Sequence, residues 1–262
     1  GCVAQQEGEA ILQRSKAVDV IVGTQNLKRL PMLVDSAVQR QAQGSRTSAT
    51  LGIAPLGDVS FPLGIAKRHD PLKAYVTIIE GCNEFCAFCV VPYTRGKERM
   101  RAAADIVEDA RHAVATGARE IQLLGQIVNH YQAPDDPHCD FAGLLERLNE
   151  IDGLERIRFA SPHPRHTGDR LIAAIRDLPK AAKHLHLPVQ SGSSRILKAM
   201  RRRHTREEYL DLVARIREEI PGVTLSTDVI VGFPGETAED FEQTLSLTAA
   251  AQYHSMFSFK YS

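Results

Sequence analysis

No stretch of 18 consecutive apolar residues occurs in this 262-residue chain, so no segment reads as a membrane-spanning helix. The opening residues lack the basic start, apolar middle and small-residue end of a secretory signal. The chain also begins at Gly1-Cys2 without an initiator Met, which is read as a soluble piece of a longer protein. An excess of charge is absent too. The 32 basic and 32 acidic side chains cancel, so any contact with nucleic acid has to be local. Missing as well is the even, spread-out cysteine pattern of a secreted disulfide scaffold. Five cysteines stand at 2, 82, 86, 89 and 139, three of them within eight residues. That usage points to the reducing cytoplasm and to a metal-binding or redox-active cluster. Finally, with 43% apolar residues the chain is not disordered, and its length suffices for one core of about 200 residues.

From Tyr75 onward, apolar and β-branched runs alternate with helical periodicity. The runs are YVTIIEG, EIQLLGQ, RIRFASP, HLHLPVQ, TLSTDVIVGF and HSMFSFKYS, starting at 75, 120, 156, 184, 224 and 254. Thr205-x-x-Glu208 and Thr237-x-x-Asp240 give helix-start signals between them. Six strands alternating with helices imply parallel pairing, which fits either a doubly wound sheet or a complete or partial barrel. Side-chain parity favours the barrel. His184, His186 and Gln190 share one face against Leu185, Leu187 and Val189; Thr224, Ser226 and Asp228 oppose Leu225, Val229 and Val231; Gln122 and Gln126 oppose Ile121 and Leu123. A strand covered on both sides should be apolar on both. One polar face in strand after strand suggests a wet or ligand-filled lumen, or else a set of separately satisfied polar groups in a core. Residues 1–40 read as an α/β fragment with a strand at 18–24, and 41–70, rich in Gly, Ser, Thr and Pro, as a linker before a barrel over 71–262.

The strongest chemical signal is Cys82-Asn-Glu-Phe-Cys86-Ala-Phe-Cys89, directly after the first barrel strand. Three thiolates in one tight loop suit a soft metal centre. Structural zinc takes four protein ligands, as does an ordinary ferredoxin cluster. Three cysteines therefore leave one iron of a four-iron cluster open to a small molecule. A zinc site completed by a histidine such as His112, or three unrelated thiols, are the alternatives. Unusual Gly, Pro and Ser segments also end the other strands: Gly125-Gln126, Ser161-Pro162-His163-Pro164, Pro188 to Ser193, and Gly232 to Glu236. All lie where barrel enzymes place their sites.

CxxxCxxC in that position resembles the radical S-adenosylmethionine (SAM) superfamily. The stretches GCVAQQEGE, VDVIVGTQ, GCNEFCAFCVVPYTRGKERMR, LLGQIVNHY, HLHLPVQSGSSRILKAMRRRHTREEYL and STDVIVGFPGETAEDFEQTL resemble its methylthiotransferase branch. The resemblance implies a partial (β/α)6 radical SAM barrel preceded by the end of an α/β amino-terminal domain, with the whole truncated at both ends. It implies that Cys82, Cys86 and Cys89 bind a [4Fe-4S] cluster whose open iron takes SAM. It implies that Cys2 is one ligand of a second, auxiliary [4Fe-4S] cluster whose other ligands lie outside this chain. The reaction implied is methylthiolation of C2 of N6-isopentenyladenosine at tRNA position 37. The rival readings are a methylthiotransferase for an aspartate of ribosomal protein S12 and a non-catalytic metal-binding module. A flavodoxin- or ferredoxin-like electron donor, a monomeric state and turnover incomplete in this piece alone belong to the same expectation.

Physical placement adds Gln126, Asn129, Gln190 and Asp228 at the lumen or its rim, where the polar groups of SAM need partners. His163, His184 and His186 are candidates for the same wall, though each reads first as a hydrogen-bonded structural histidine. Where the branch has Gly-Gln-Asn-Val-Asn, this chain has Ile127, one polar side chain fewer. Lys97, Arg99 and Arg101, and Arg201-Arg202-Arg203-His204, could meet phosphates, the second run reading at least equally well as a solvated helix end favoured by the dipole. Cys139 is expected to be a free thiol.

Overall fold

The computed structural model describes residues 1–44, 49–53 and 70–262. Much of the expected linker, 45–48 and 54–69, therefore lies outside the described residues. The chain divides into two compact units.

The first unit comprises the described residues up to Ile53 with Gly81–Phe85 and Cys89–Glu98. Helices α1 (Cys2–Glu7) and α2 (Glu9–Arg14) lead to strand β1 (Val20–Val22), then α3 (Leu30–Ala42) and β2 (Thr50–Gly52). Strand β2 falls inside the stretch read as linker and pairs parallel with β1, Val20 opposite Thr50 and Val22 opposite Gly52. The first barrel loop was expected to belong wholly with the barrel, yet parts of it group with this unit. The reason is hydrogen bonding: Thr24 Oγ1 donates to the Thr94 carbonyl at 2.6 Å and Gln25 Nε2 to that of Arg95 at 3.0 Å. Those acceptors lie on the short helix α4 (Val91–Arg95).

The second unit carries β3 (Lys73–Thr77), the antiparallel pair β4 (Ile79–Glu80) and β5 (Arg99–Met100), α5 (Ala103–Ala115), β6 (Glu120–Leu124), α6 (Phe141–Asn149) and β7 (Arg156–Phe159). It continues with α7 (Asp169–Asp177), β8 (His184–His186), α8 (Ser194–Ala199), α9 (Arg206–Glu219), β9 (Thr224–Val231), α10 (Ala238–Ala251) and β10 (Ser255–Lys260). β3, β6 and β7 pair in parallel, as do β8, β9 and β10. The two triplets join at Ile157, whose N–H donates to the Lys180 carbonyl at 2.7 Å and whose carbonyl accepts from Ala182 at 3.0 Å. Six parallel strands thus stand in chain order with a helix between each pair, as the (β/α)6 pattern requires.

One face of each inner strand is sealed. Ala74, Val76, Ile121, Leu123, Ile157, Leu185 and Leu225 are fully buried against the helices. Each of the larger of these side chains contributes about 1.5–3 kcal/mol by leaving water, and the Ala74 methyl about 0.8 kcal/mol. Their strand neighbours on the opposite face, Tyr75, Gln122, Arg158, His184 and Asp228, stay partly or wholly exposed. That is the alternation the parity argument anticipated. Both capping boxes also form, Thr205 with Glu208 and Thr237 with Asp240, each satisfying two helix N–H groups.

Candidate functional site

The cysteine segment leaves the end of the first barrel strand through Gly81, whose φ of 76° lies in the left-handed region. A Cβ there would stand 2.1 Å from the Lys97 carbonyl oxygen, so only glycine fits. Beyond it, the Cys82 N–H donates to the Gly96 carbonyl at 3.2 Å, and the Glu84 N–H points at Cys82 Sγ at 3.5 Å. Phe85 also has positive φ, 47°, which turns the chain sharply between the first two cysteines. In the second unit, the Ala87 N–H donates to the Met200 carbonyl at 2.9 Å, and Phe88 packs against Ile196, Met200 and Phe233. Cys86 Sγ receives Arg202 Nη1 at 3.7 Å.

Cys82, Cys86 and Cys89 take part in no disulfide, and neither do Cys2 and the buried Cys139. Among the described residues no three His, Cys, Asp or Glu side chains stand together as a ready metal site. His112 lies on the exposed side of α5. The donor set nonetheless fits an iron–sulfur cluster. Three soft ligands are unoxidised, and N–H donors already face two of them, the arrangement that stabilises charge on cluster-bound thiolates.

Across β8 and β9 the polar face forms a ladder. His184 Nδ1 bonds Thr224 Oγ1 at 2.8 Å, His186 Nδ1 bonds Ser226 Oγ at 2.9 Å, and His186 Nε2 stands 3.2 Å from Asp228 Oδ2. Burial, with Arg158 nearby, pushes the His184 pKa down. At the start of β3, β6 and β7 Glu120 meets three cations, Lys73 at 3.3 Å, Arg156 at 3.2 Å and Arg158 at 3.6 Å. These groups satisfy one another in pairs while remaining partly open, so the face is both polar and internally bonded.

The four rim residues fare differently. Gln126 keeps a buried Oε1 without a hydrogen-bond partner. Gln190 is buried at the end of β8 in a left-handed conformation, φ 73°, with its N–H on the Asp228 carbonyl and its own carbonyl on Ile230. Asp228 is engaged by His186. Asn129 is spent on the fold: its Nδ2 donates to the His163 carbonyl at 2.9 Å and to Thr167 Oγ1 at 3.1 Å, and its Oδ1 accepts from the His163 N–H at 2.8 Å. It pins the Ser-Pro-His-Pro loop to the segment after β6. Ile127 is buried.

His163 is buried beside His204, ring centroids 5.8 Å apart. Burial first, and then the Arg202 charge, push His163 down to about 2 and His204 to about 4. Both are neutral at physiological pH. Arg101 corrects one expectation. It is buried, ion-paired to Asp109 at 3.0 Å and bonded to the Asp105 carbonyl at 3.1 Å, so it does not meet phosphates. Lys97 is exposed, whereas Arg99 pairs with Glu80 at 3.6 Å. Sequence reasoning missed the Asn129 pin and the Arg202–Cys86 contact, both of which span loops far apart in the chain.

Residues 76–248 match the model of the Radical SAM superfamily. The chain belongs to that superfamily. Among curated relatives it is 46% identical to a tRNA-2-methylthio-N(6)-dimethylallyladenosine synthase of Clostridium tetani, and 50% and 49% identical to proteins of the same name from Paracoccus denitrificans and Agrobacterium fabrum. Each match covers 100% of this chain but only 57–58% of the relative's length. In structure it is similar to the radical SAM methyltransferase TsrM of Kitasatospora setae, TM-score 0.59 at 15% identity, over 76% of this chain and 39% of that one. Coproporphyrinogen III oxidase of Escherichia coli, also a radical SAM enzyme, gives 0.52 at 19% identity over 74% of this chain and 45% of that one. These two likenesses establish the fold. The superfamily carries with it SAM and a [4Fe-4S] cluster.

Proposed function

We propose that this chain is the catalytic core of a tRNA methylthiotransferase acting on C2 of N6-isopentenyladenosine at tRNA position 37. The observation that carries the reading is identity of 46–50%, along the whole chain, to relatives named for that product. Cys82, Cys86 and Cys89 would hold the SAM-binding cluster, and Cys2 would contribute one ligand to an auxiliary cluster. When bound, the first cluster supplies the electron that cleaves SAM. The chain's own residues prepare the place: Gly81 and Phe85 turn the ligand loop, Gln126 and Gln190 offer amides at the strand ends, His186 holds Asp228, and Asn129 fixes the neighbouring loop. A ferredoxin- or flavodoxin-like electron donor, a cytoplasmic location and a monomeric state complete the proposal. No helix among the described residues is long and apolar enough to cross a membrane.

The test is nucleoside mass spectrometry on tRNA from cells lacking this modification, with and without the full-length protein that contains this chain. Appearance of the methylthio derivative of isopentenyladenosine, lost on replacing Cys86 by Ala, is the expected result. Unchanged tRNA with a methylthiolated aspartate in ribosomal protein S12 would move the assignment to the protein-modifying branch.

A further inference from the structure

Arg202 lies 116 positions beyond Cys86, yet its guanidinium reaches the sulfur at 3.7 Å. The group is held from a second side, since Nη2 donates to the Pro188 carbonyl at 3.1 Å in the loop that ends β8. Its Nε is buried without a hydrogen-bond partner. The backbone delivering it is fixed too: the Arg202 N–H donates to the Leu197 carbonyl at 2.8 Å, and Arg201 turns the end of α8 with φ 59°. The same turn receives the Ala87 N–H on Met200. Two separate contacts therefore tie the Cys86 segment to the end of α8.

A planar guanidinium can serve a carbonyl and a sulfur at once, which an ammonium on a flexible stem does less well. A cationic N–H donor on a ligand sulfur favours the more negative state of an iron–sulfur centre, and so eases its reduction. We propose that Arg202 is the positioning residue of the Cys86 ligand, fixing its sulfur and making the cluster easier to reduce by one electron. The assignment rests on Cys86 being a cluster ligand.

Reconstituted protein is titrated redox-wise under electron paramagnetic resonance, without SAM, for the unaltered chain, Arg202→Gln, Arg202→Lys and the exposed control Lys198→Gln. At a fixed solution potential, Arg202→Gln with full iron is expected to hold a reduced-to-oxidised ratio about tenfold lower, which is about 59 mV for one electron. Arg202→Lys should show a smaller drop and Lys198→Gln none. An unmoved ratio in Arg202→Gln at full iron overturns the assignment. If that variant holds no iron, Arg202→Lys reads the same quantity: a ratio below the unaltered chain supports the proposal, an equal one overturns it. Loss of iron from both overturns it in favour of a purely structural arginine. An unaltered chain that takes up no iron overturns the cluster reading itself, and this assignment with it.

Discussion

At Gly81 two constraints coincide, a left-handed backbone and a carbonyl oxygen 2.1 Å from where a Cβ would sit. Gly81→Ala is expected to cost roughly 1–3 kcal/mol in local strain and to displace the loop that begins at Cys82. A denaturant midpoint below that of the unaltered protein, together with reduced iron uptake, would show both. His163 gives a pH dependence. Its folded pKa, about 2, is below the unfolded value near 6.5, so between those values the unfolded chain binds the extra proton. Stability from this group is complete above 6.5 and is lost as pH falls, by roughly 2 kcal/mol between pH 7 and 5. Denaturant curves at the two pH values should show a larger loss in the unaltered protein than in His163→Gln. An equal loss would mean that His163 is protonated in the fold.

The helices and strands of the second unit were legible because their signals are local. Thr205 and Glu208 lie three residues apart, and the capping box that they spell is present in the fold. Thr205→Ala should lower stability by about 1 kcal/mol without altering the sheet, read as a shift in thermal midpoint with unchanged far-ultraviolet circular dichroism. The alternation of Ile121 and Leu123 with Gln122 likewise predicted which face would be sealed. Elements defined by partners far away were not legible. β2 is three residues, Thr-Leu-Gly, in a stretch of turn-forming composition, and only pairing with β1 makes it a strand. The run YVTIIEG was read as one strand but breaks into β3 and β4, because the Ile79–Glu80 part pairs antiparallel with Arg99–Met100 instead of following β3 into the parallel sheet.

For the whole molecule, the six parallel strands in chain order and the superfamily match agree on a partial radical SAM barrel. The polar face that suggested a lumen holds a bonded ladder, His184–Thr224 and His186–Asp228, so these polar groups satisfy one another, as the alternative reading of that parity had it. Asn129 shows where sequence alone misleads. Polar residues at strand ends read alike in sequence whether or not they clasp a neighbouring loop, and only the coordinates show that Asn129 does. The central claim is that Cys82, Cys86 and Cys89 carry one cluster with an iron open to SAM. Anaerobic reconstitution with iron and sulfide, followed by iron counting and electron paramagnetic resonance with and without SAM, tests it directly. About four irons per chain and a spectrum altered by SAM are the predicted result; tightly held zinc with no response to SAM would contradict it.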